Sequence, residues 1–198
     1  MKDYRLSQDI LDRIYPNQWT DQQGTLTQAA AAAALTLEEV RDTPFKIYWF
    51  KHNQSDRLDL SYQFDHRWDK TEVQPHIHIL PAAATTGSIT LSGRYFWSAP
   101  NSGIAFPAWA DWTPWTVTRP ITAPENGTEV VFNLFVTTPP TLAATDSASL
   151  WITVSRVSGG DTYTGNKPYG TAAANVGLLF LDAHRRDDSF GSLNPYGP

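Results

Sequence analysis

Leu58-Asp-Leu-Ser-Tyr-Gln-Phe-Asp65 decides the fold: Leu58, Leu60, Tyr62 and Phe64 alternate with Asp59, Ser61, Gln63 and Asp65. On an extended backbone a period of two sends the four apolar side chains to one face and the four polar ones to the other. A strand with one buried and one wetted face belongs to an antiparallel sheet covered on one side only. The same alternation recurs at Ile89, Leu91, Gly93, Tyr95 and Trp97, and at Val130, Phe132, Leu134 and Val136. Five further runs, 44–51, 75–80, 114–118, 149–157 and 176–184, bring the expected number of strands to eight. Pro, Gly or Asn separates the runs and no long helical period intervenes. The pattern predicts an all-β, antiparallel β-sandwich of jelly-roll type, with an Ig-like sandwich or a barrel as alternatives. Asn126-Gly127, just before the run from Glu129, is the strongest hairpin signal, because a tight primed turn needs positive φ at its central residues.

Outward from this block the chain changes character. Residues 1–43 read as an N-terminal arm. Its Ala-rich tract is followed by Thr36-Leu-Glu-Glu39, which has capping-box spacing, and Pro44 blocks continuation of a helix. A short helix is expected there, with an extended low-complexity arm as the alternative. Tyr15 and Trp19 precede it in a segment without period, and such aromatics find burial on a neighbour, in the same domain or in another subunit. On that reading, deleting residues 1–28 abolishes binding to a partner without unfolding the domain. The sandwich is expected over residues 44–188, and residues 189–198 form an irregular C-terminal tail.

Composition narrows the function. The 198 residues include no cysteine, which excludes a disulfide scaffold, a thiolate metal site and a cysteine nucleophile. Fifteen Lys+Arg against 20 Asp+Glu give a net charge of −5, and without a basic stripe nucleic acid is not an expected partner. No membrane span or export signal is visible, so the membrane is not an expected partner either. Aromatics make up 13% of the chain, with eight Trp, while only 18% is charged. A surface poor in charge and rich in aromatics and amides suits contact with other protein or with sugar.

The sharpest local feature is Pro75-His76-Ile77-His78-Ile79. Two His at i and i+2 of a strand point to one face, the spacing of an imidazole ligand pair. One chain would need a third ligand. Three copies around a threefold axis would present six imidazoles, so a metal at a trimer axis is the metal reading; two His packed and hydrogen-bonded inside a sheet is the other. A cupin-like enzyme requires a carboxylate shortly after the pair, and Ile79-Leu-Pro-Ala-Ala-Ala84 supplies none. His52, His66 and His184 stand alone in sequence, and no Gly-x-Ser-x-Gly elbow or Lys-bearing glycine loop is present. Trp109, Trp112 and Trp115 lie in a loop-like stretch, where they either stack on sugar rings or close the sandwich and bury against a neighbour.

The stretch Phe64-Asp-His-Arg-Trp-Asp-Lys-Thr-Glu-Val-Gln-Pro-His-Ile-His-Ile79 resembles a family of small tailed-bacteriophage virion proteins. These carry a His-x-Trp stretch, then Pro-His-Ile-His, and near the C-terminus an Asp-x-His…Asp…Gly-Ser element, similar to Leu181-Asp-Ala-His-Arg-Arg-Asp-Asp-Ser-Phe-Gly-Ser192. Ile79 stands where the family usually has Trp. The resemblance implies a β-sandwich component of the particle, trimeric, with no enzymatic residue; no cofactor is expected beyond the ion at a trimer axis that the His spacing allows. It marks His66, Trp68, Pro75, His76, His78, Asp182, His184 and Asp187 as a structural or assembly constellation. The expected function is a capsid decoration or cement protein that bridges major capsid subunits, assembled in the host cytoplasm and residing in the virion. A neck, collar or fibre-anchoring protein with head-tail partners is the first alternative. A carbohydrate-binding module that takes a host glycan on the Trp109–Trp115 loop is the alternative of another class.

Overall fold

A computed structural model of the chain describes residues 18–28, 35–40, 44–51, 57–65, 68–81, 86–99, 105–125, 127–140, 147–157, 159–164 and 174–187. Eleven strands cover them: β1 (Gln18–Gln23), β2 (Thr25–Gln28), β3 (Thr36–Glu39), β4 (Lys46–Lys51), β5 (Arg57–Phe64), β6 (Trp68–Pro81), β7 (Gly87–Ser98), β8 (Thr113–Ile121), β9 (Val130–Asn133), β10 (Ala148–Arg156) and β11 (Ala174–Asp187). The only helical elements among the described residues are two 3-10 turns at Trp109–Asp111 and Ala123–Glu125. No helix among them is long and apolar enough to cross a membrane.

Sheet A runs β3-β4-β11-β6-β9 with β1 also on β11, and sheet B runs β2-β5-β10-β7-β8; every pairing is antiparallel. The eight strands expected from the alternation are β4 to β11. Folding this stretch at the β7–β8 connection pairs β7 with β8, β6 with β9, β5 with β10 and β4 with β11. A long hairpin rolled so that its successive pairs fall alternately on two sheets is the winding of a jelly roll. The β6–β11 and β7–β10 pairings then join the rolled pairs side by side.

Alternation sends Leu58, Leu60, Tyr62 and Phe64 inward, where they meet Ile77 and Ile79 of β6, Leu150, Ile152 and Val154 of β10, and Leu178 and Leu181 of β11. Aromatics fill one region of this core: Trp68 lies 5.4 Å from Trp97 at an interplanar angle of 10°, and 4.8 Å from Phe64. Arg156 and Asp161 are buried together, with Nε to Oδ2 at 2.6 Å and Nη2 to Oδ1 at 2.8 Å, and Asp161 also accepts from the Tyr163 amide. This bidentate pair satisfies both charges inside the fold and fixes the chain leaving β10.

Three expectations change. Thr36–Glu39 is a strand paired with β4, not the start of a helix, because the β4 edge offers backbone partners that a capping box cannot match; the Ala tract lies outside the described residues. Residues 18–28 of the N-terminal segment are part of the sandwich: β1 pairs with β11 in sheet A, and β2 pairs with β5 in sheet B. Gly24 makes the crossing between sheets, donating its amide to the Leu181 carbonyl at 3.0 Å, and a Cβ there would lie 2.8 Å from the Tyr62 ring. Finally, Gly127 has the positive φ of 74° that the turn signal requires, yet it joins β8 of sheet B to β9 of sheet A instead of closing a hairpin.

Candidate functional site

The β6–β11 register puts Asp182 opposite His76 and Ala183 opposite Pro75, so two motifs a hundred residues apart in sequence become one surface. Ile77 and Ile79 point into the core, which turns His76 and His78 to the outer face of sheet A. A register shift between Leu178 and Phe180 brings Phe180, Asp182 and His184 to the same face. Nε2 of His76 contacts Oδ1 of Asp182, and Nε2 of His78 lies 3.4 Å from that oxygen. The other ring nitrogens face acceptors: Nδ1 of His76 donates to the Gln74 carbonyl at 3.4 Å, and Nδ1 of His78 donates to the Glu129 carboxylate. His184 packs its ring 4.3 Å from that of His76 and reaches Asp21 of β1 at 3.0 Å. Phe180 stands 4.3 Å from the His78 ring.

His76 is only 3% exposed. Burial pushes its pKa below the ordinary imidazole value and outweighs the pull of the Asp182 carboxylate, with His184 and His78 adding to the downward shift. His78 Nε2 and Asp182 Oδ1 are buried and lack an aligned hydrogen bond among the described residues. His76, His78 and Asp182 each offer a ligand atom, all within 4.8 Å of one another.

A second surface lies on the outer face of sheet B. Phe96 of β7 and Trp151 of β10 are turned outward, and residues 105–112 fold over them. Trp112 and Phe106 pack on Phe96 at 4.3 and 4.4 Å, and Phe106 meets the Trp151 ring edge-on at 5.5 Å. Arg94 fastens the loop by donating to the carbonyls of Ala110 and Trp112, each at 2.9 Å. The Arg57 guanidinium lies over the Trp109 ring at 4.9 Å while pairing with Asp59. On top of this layer Phe106 and Trp109 remain 62% and 45% exposed.

The sequence constellation is thus divided. His76, His78, Asp182 and His184 come together, whereas Trp68 is a core side chain and Pro75 a buried strand residue. Asp187 pairs by register with Trp68, and His66 and Tyr15 lie outside the described residues. Trp19 stands in β1 opposite Arg186, so the strand that carries it pairs within the chain's own sheet. Of the three loop tryptophans, Trp115 is a buried residue of β8, corrected from the partner-binding set by its packing in the core. Trp112 is half-buried and Trp109 exposed.

The metal pair also finds a carboxylate within the chain, on β11 and not shortly after the pair, so a third ligand requires no threefold axis. The alternation missed Phe96 and Trp151, whose signal is an aromatic in the wet-face register of its strand. Glu129 and Asp21 carry no such signal, since strand pairing alone brings them to the cluster.

No protein-family model and no curated protein matches the chain. Among solved structures it is similar to the enzymatically active domain of tailspike protein 4 of bacteriophage CBA120, at 12% identity and a TM-score of 0.31 over 84% of this chain and 19% of that one. It is also similar to a carbohydrate-binding module of the β-sandwich superfamily, at 10% identity and a TM-score of 0.28 over 86% of this chain and 56% of the other. A third is the family 11 carbohydrate-binding module from Clostridium thermocellum in complex with a β-1,3-1,4-mixed-linked tetrasaccharide, at 9% identity and a TM-score of 0.27 over 87% and 90%. The chain therefore spans about a fifth of the tailspike domain and about half of the second structure.

Proposed function

We propose that this chain is a non-enzymatic structural protein of a phage particle, a jelly roll that acts as a homotrimer to decorate the head and bridge major capsid subunits. The observation that carries the reading is the register of β6 and β11. It brings His76 and His78 of one stretch that resembles virion proteins together with Asp182 and His184 of the other on the outer face of sheet A. That face also holds Phe180 and Val131, 46% and 44% exposed, beside the His cluster. Apolar side chains around a polar centre on an open sheet suit contact with another protein.

The test is proteomic and structural analysis of purified particles from the source phage. Decoration predicts on the order of hundreds of copies per particle, arranged as closed trimers, and Phe180→Asp should reduce occupancy at least about tenfold. About a dozen copies at the portal vertex would move the protein to the neck, and absence from particles would overturn the reading.

The sheet B surface favours a second activity. Exposed Trp109 and Phe106, near Arg57, Asp59 and Ser61 of β5, combine exposed aromatic rings with hydrogen-bonding groups, as recognition of a sugar ring requires. On a glycan array, Trp109→Ala should lower binding about tenfold or more while shifting stability by less than about 1 kcal/mol. Absence of any glycan signal from the wild-type chain would remove this activity.

A further inference from the structure

We propose that His76, His78 and Asp182 form a binding site, complete within one chain, for a divalent first-row transition-metal ion, zinc being the expected occupant. Three independent features point to it.

The first is the direction of the proton donors. Both Nδ1 atoms face groups that can only accept, the Gln74 carbonyl and the Glu129 carboxylate. The Nδ1 protons are thus taken by these acceptors, and the Nε2 atoms of both rings are turned toward one Asp182 oxygen. Three potential ligand atoms therefore converge within 4.8 Å of one another, and an entering ion would displace the proton shared by His76 and Asp182.

The second is the absence of any other partner for two of these atoms. His78 Nε2 and Asp182 Oδ1 are buried and have no aligned hydrogen bond among the described residues. Such groups are costly when left alone, and a cation satisfies both at once.

The third is dimension. His78 Nε2 and Asp182 Oδ1 are 3.4 Å apart. Donors about 2.0–2.1 Å from a tetrahedral ion are separated by roughly that length, and the closer His76 Nε2–Asp182 Oδ1 contact would open to the same separation on binding. Two imidazoles and one carboxylate are a nitrogen-rich set, which suits zinc and its neighbours better than the oxygen-seeking calcium or magnesium. The outer contacts match as well: a ligating His commonly donates its second N–H to a carboxylate or backbone carbonyl, and Glu129 and Gln74 provide one of each.

The ion would tie β6 to β11 across the Asp182–His76 pair. This differs from a metal at a threefold axis in requiring one ion per chain and no second copy.

The experiment uses the full chain, stripped with a chelator and titrated with Zn²⁺ by calorimetry, then with Co²⁺ to read the visible absorption of a low-coordinate site. The expected result is one ion per chain. At a hundredfold excess over Kd, zinc should raise the unfolding midpoint by roughly 5–10 °C. Asp182→Asn and His78→Ala should abolish both the spectrum and the midpoint shift. Glu129→Gln should weaken binding about tenfold, and His184→Ala should leave the stoichiometry intact. Far-UV circular dichroism of the metal-free variants separates loss of the site from loss of the fold. One ion per three chains, no binding, or binding unchanged in a folded Asp182→Asn protein would each overturn the proposal.

Discussion

On the outer face of the β6–β11 pair the alternate positions carry His76 and His78 against Phe180, Asp182 and His184. On the outer face of the β7–β10 pair they carry Arg94 and Phe96 against Trp151 and Thr153. Both rows obey the same period of two and back onto the same core. On sheet B the apolar side chains are large enough to recruit a loop: residues 105–112 cover Phe96, and Trp112 becomes half-buried in the process. On sheet A the row is mostly polar, Phe180 excepted, and each imidazole is held by an acceptor or a ring beside it. One outer face is therefore a second, aromatic layer of packing. The other is a cluster whose order comes from hydrogen bonds and electrostatics, a distinction with measurable consequences.

The largest effect should come from removing what each face borrows from the N-terminus. Deletion of residues 1–28 strips β1 from sheet A and β2 from sheet B, losing the strand that carries Asp21 to His184 and exposing backbone along β11 and β5. Against a total stability of about 5–15 kcal/mol, loss of two strands should leave the fold marginal, with a much lower thermal midpoint. An unchanged midpoint would restore the independent arm expected from sequence.

Next in size is the asymmetry between the faces. Phe96→Ala removes the ring on which both Phe106 and Trp112 rest and should cost about 3–5 kcal/mol in denaturant unfolding. His184→Ala removes a half-exposed ring and should cost less than about 1 kcal/mol. Equal costs would break the distinction between a packed layer and an electrostatic cluster.

Much of this architecture was legible. Leu58 to Phe64 and its kin announce their strands because burial of one face forces a period of two, and the eight strands so marked are those that roll into the sandwich. The first 43 residues were not legible. Thr36-Leu-Glu-Glu39 satisfies a local helix rule, but pairing with β4 overrides local preference and is invisible without the partner. The candidate site divides along the same line. His76 and His78 share a face by spacing alone, while Asp182 joins them through a register that is long-range and shifted by an irregularity at residues 178–180. An aromatic in the wet-face register, as at Trp151, is the sequence signal of the covered outer face of sheet B.

The smallest effect concerns pH, and it separates the faces by window rather than by sign. On sheet A, His76 has its pKa lowered in the fold, chiefly by burial, with Asp182 and the Gln74 carbonyl opposing and His184 and His78 reinforcing the shift. The unfolded chain then binds the proton more readily. The stabilisation is complete above the ordinary value of 6.5 and is lost as pH falls below it toward the folded value. At the rim of sheet B, Glu125 accepts from the Thr122 amide at 2.8 Å and from Arg119 at 2.6 Å, and the Thr122 hydrogen bond leads in lowering its pKa. Its stabilisation is present above 4.5 and is lost as pH falls through the folded value. Metal-free protein should therefore lose stability in two steps on acidification. The first is bounded by a slope of about 1.4 kcal/mol per pH unit for one group, and the second is smaller because Glu125 is partly exposed. Unfolding midpoints measured from pH 8 to pH 3 on His76→Gln and Glu125→Gln should each lack one step. Loss of the upper step in the Glu125 variant would show that the two faces are not energetically separate.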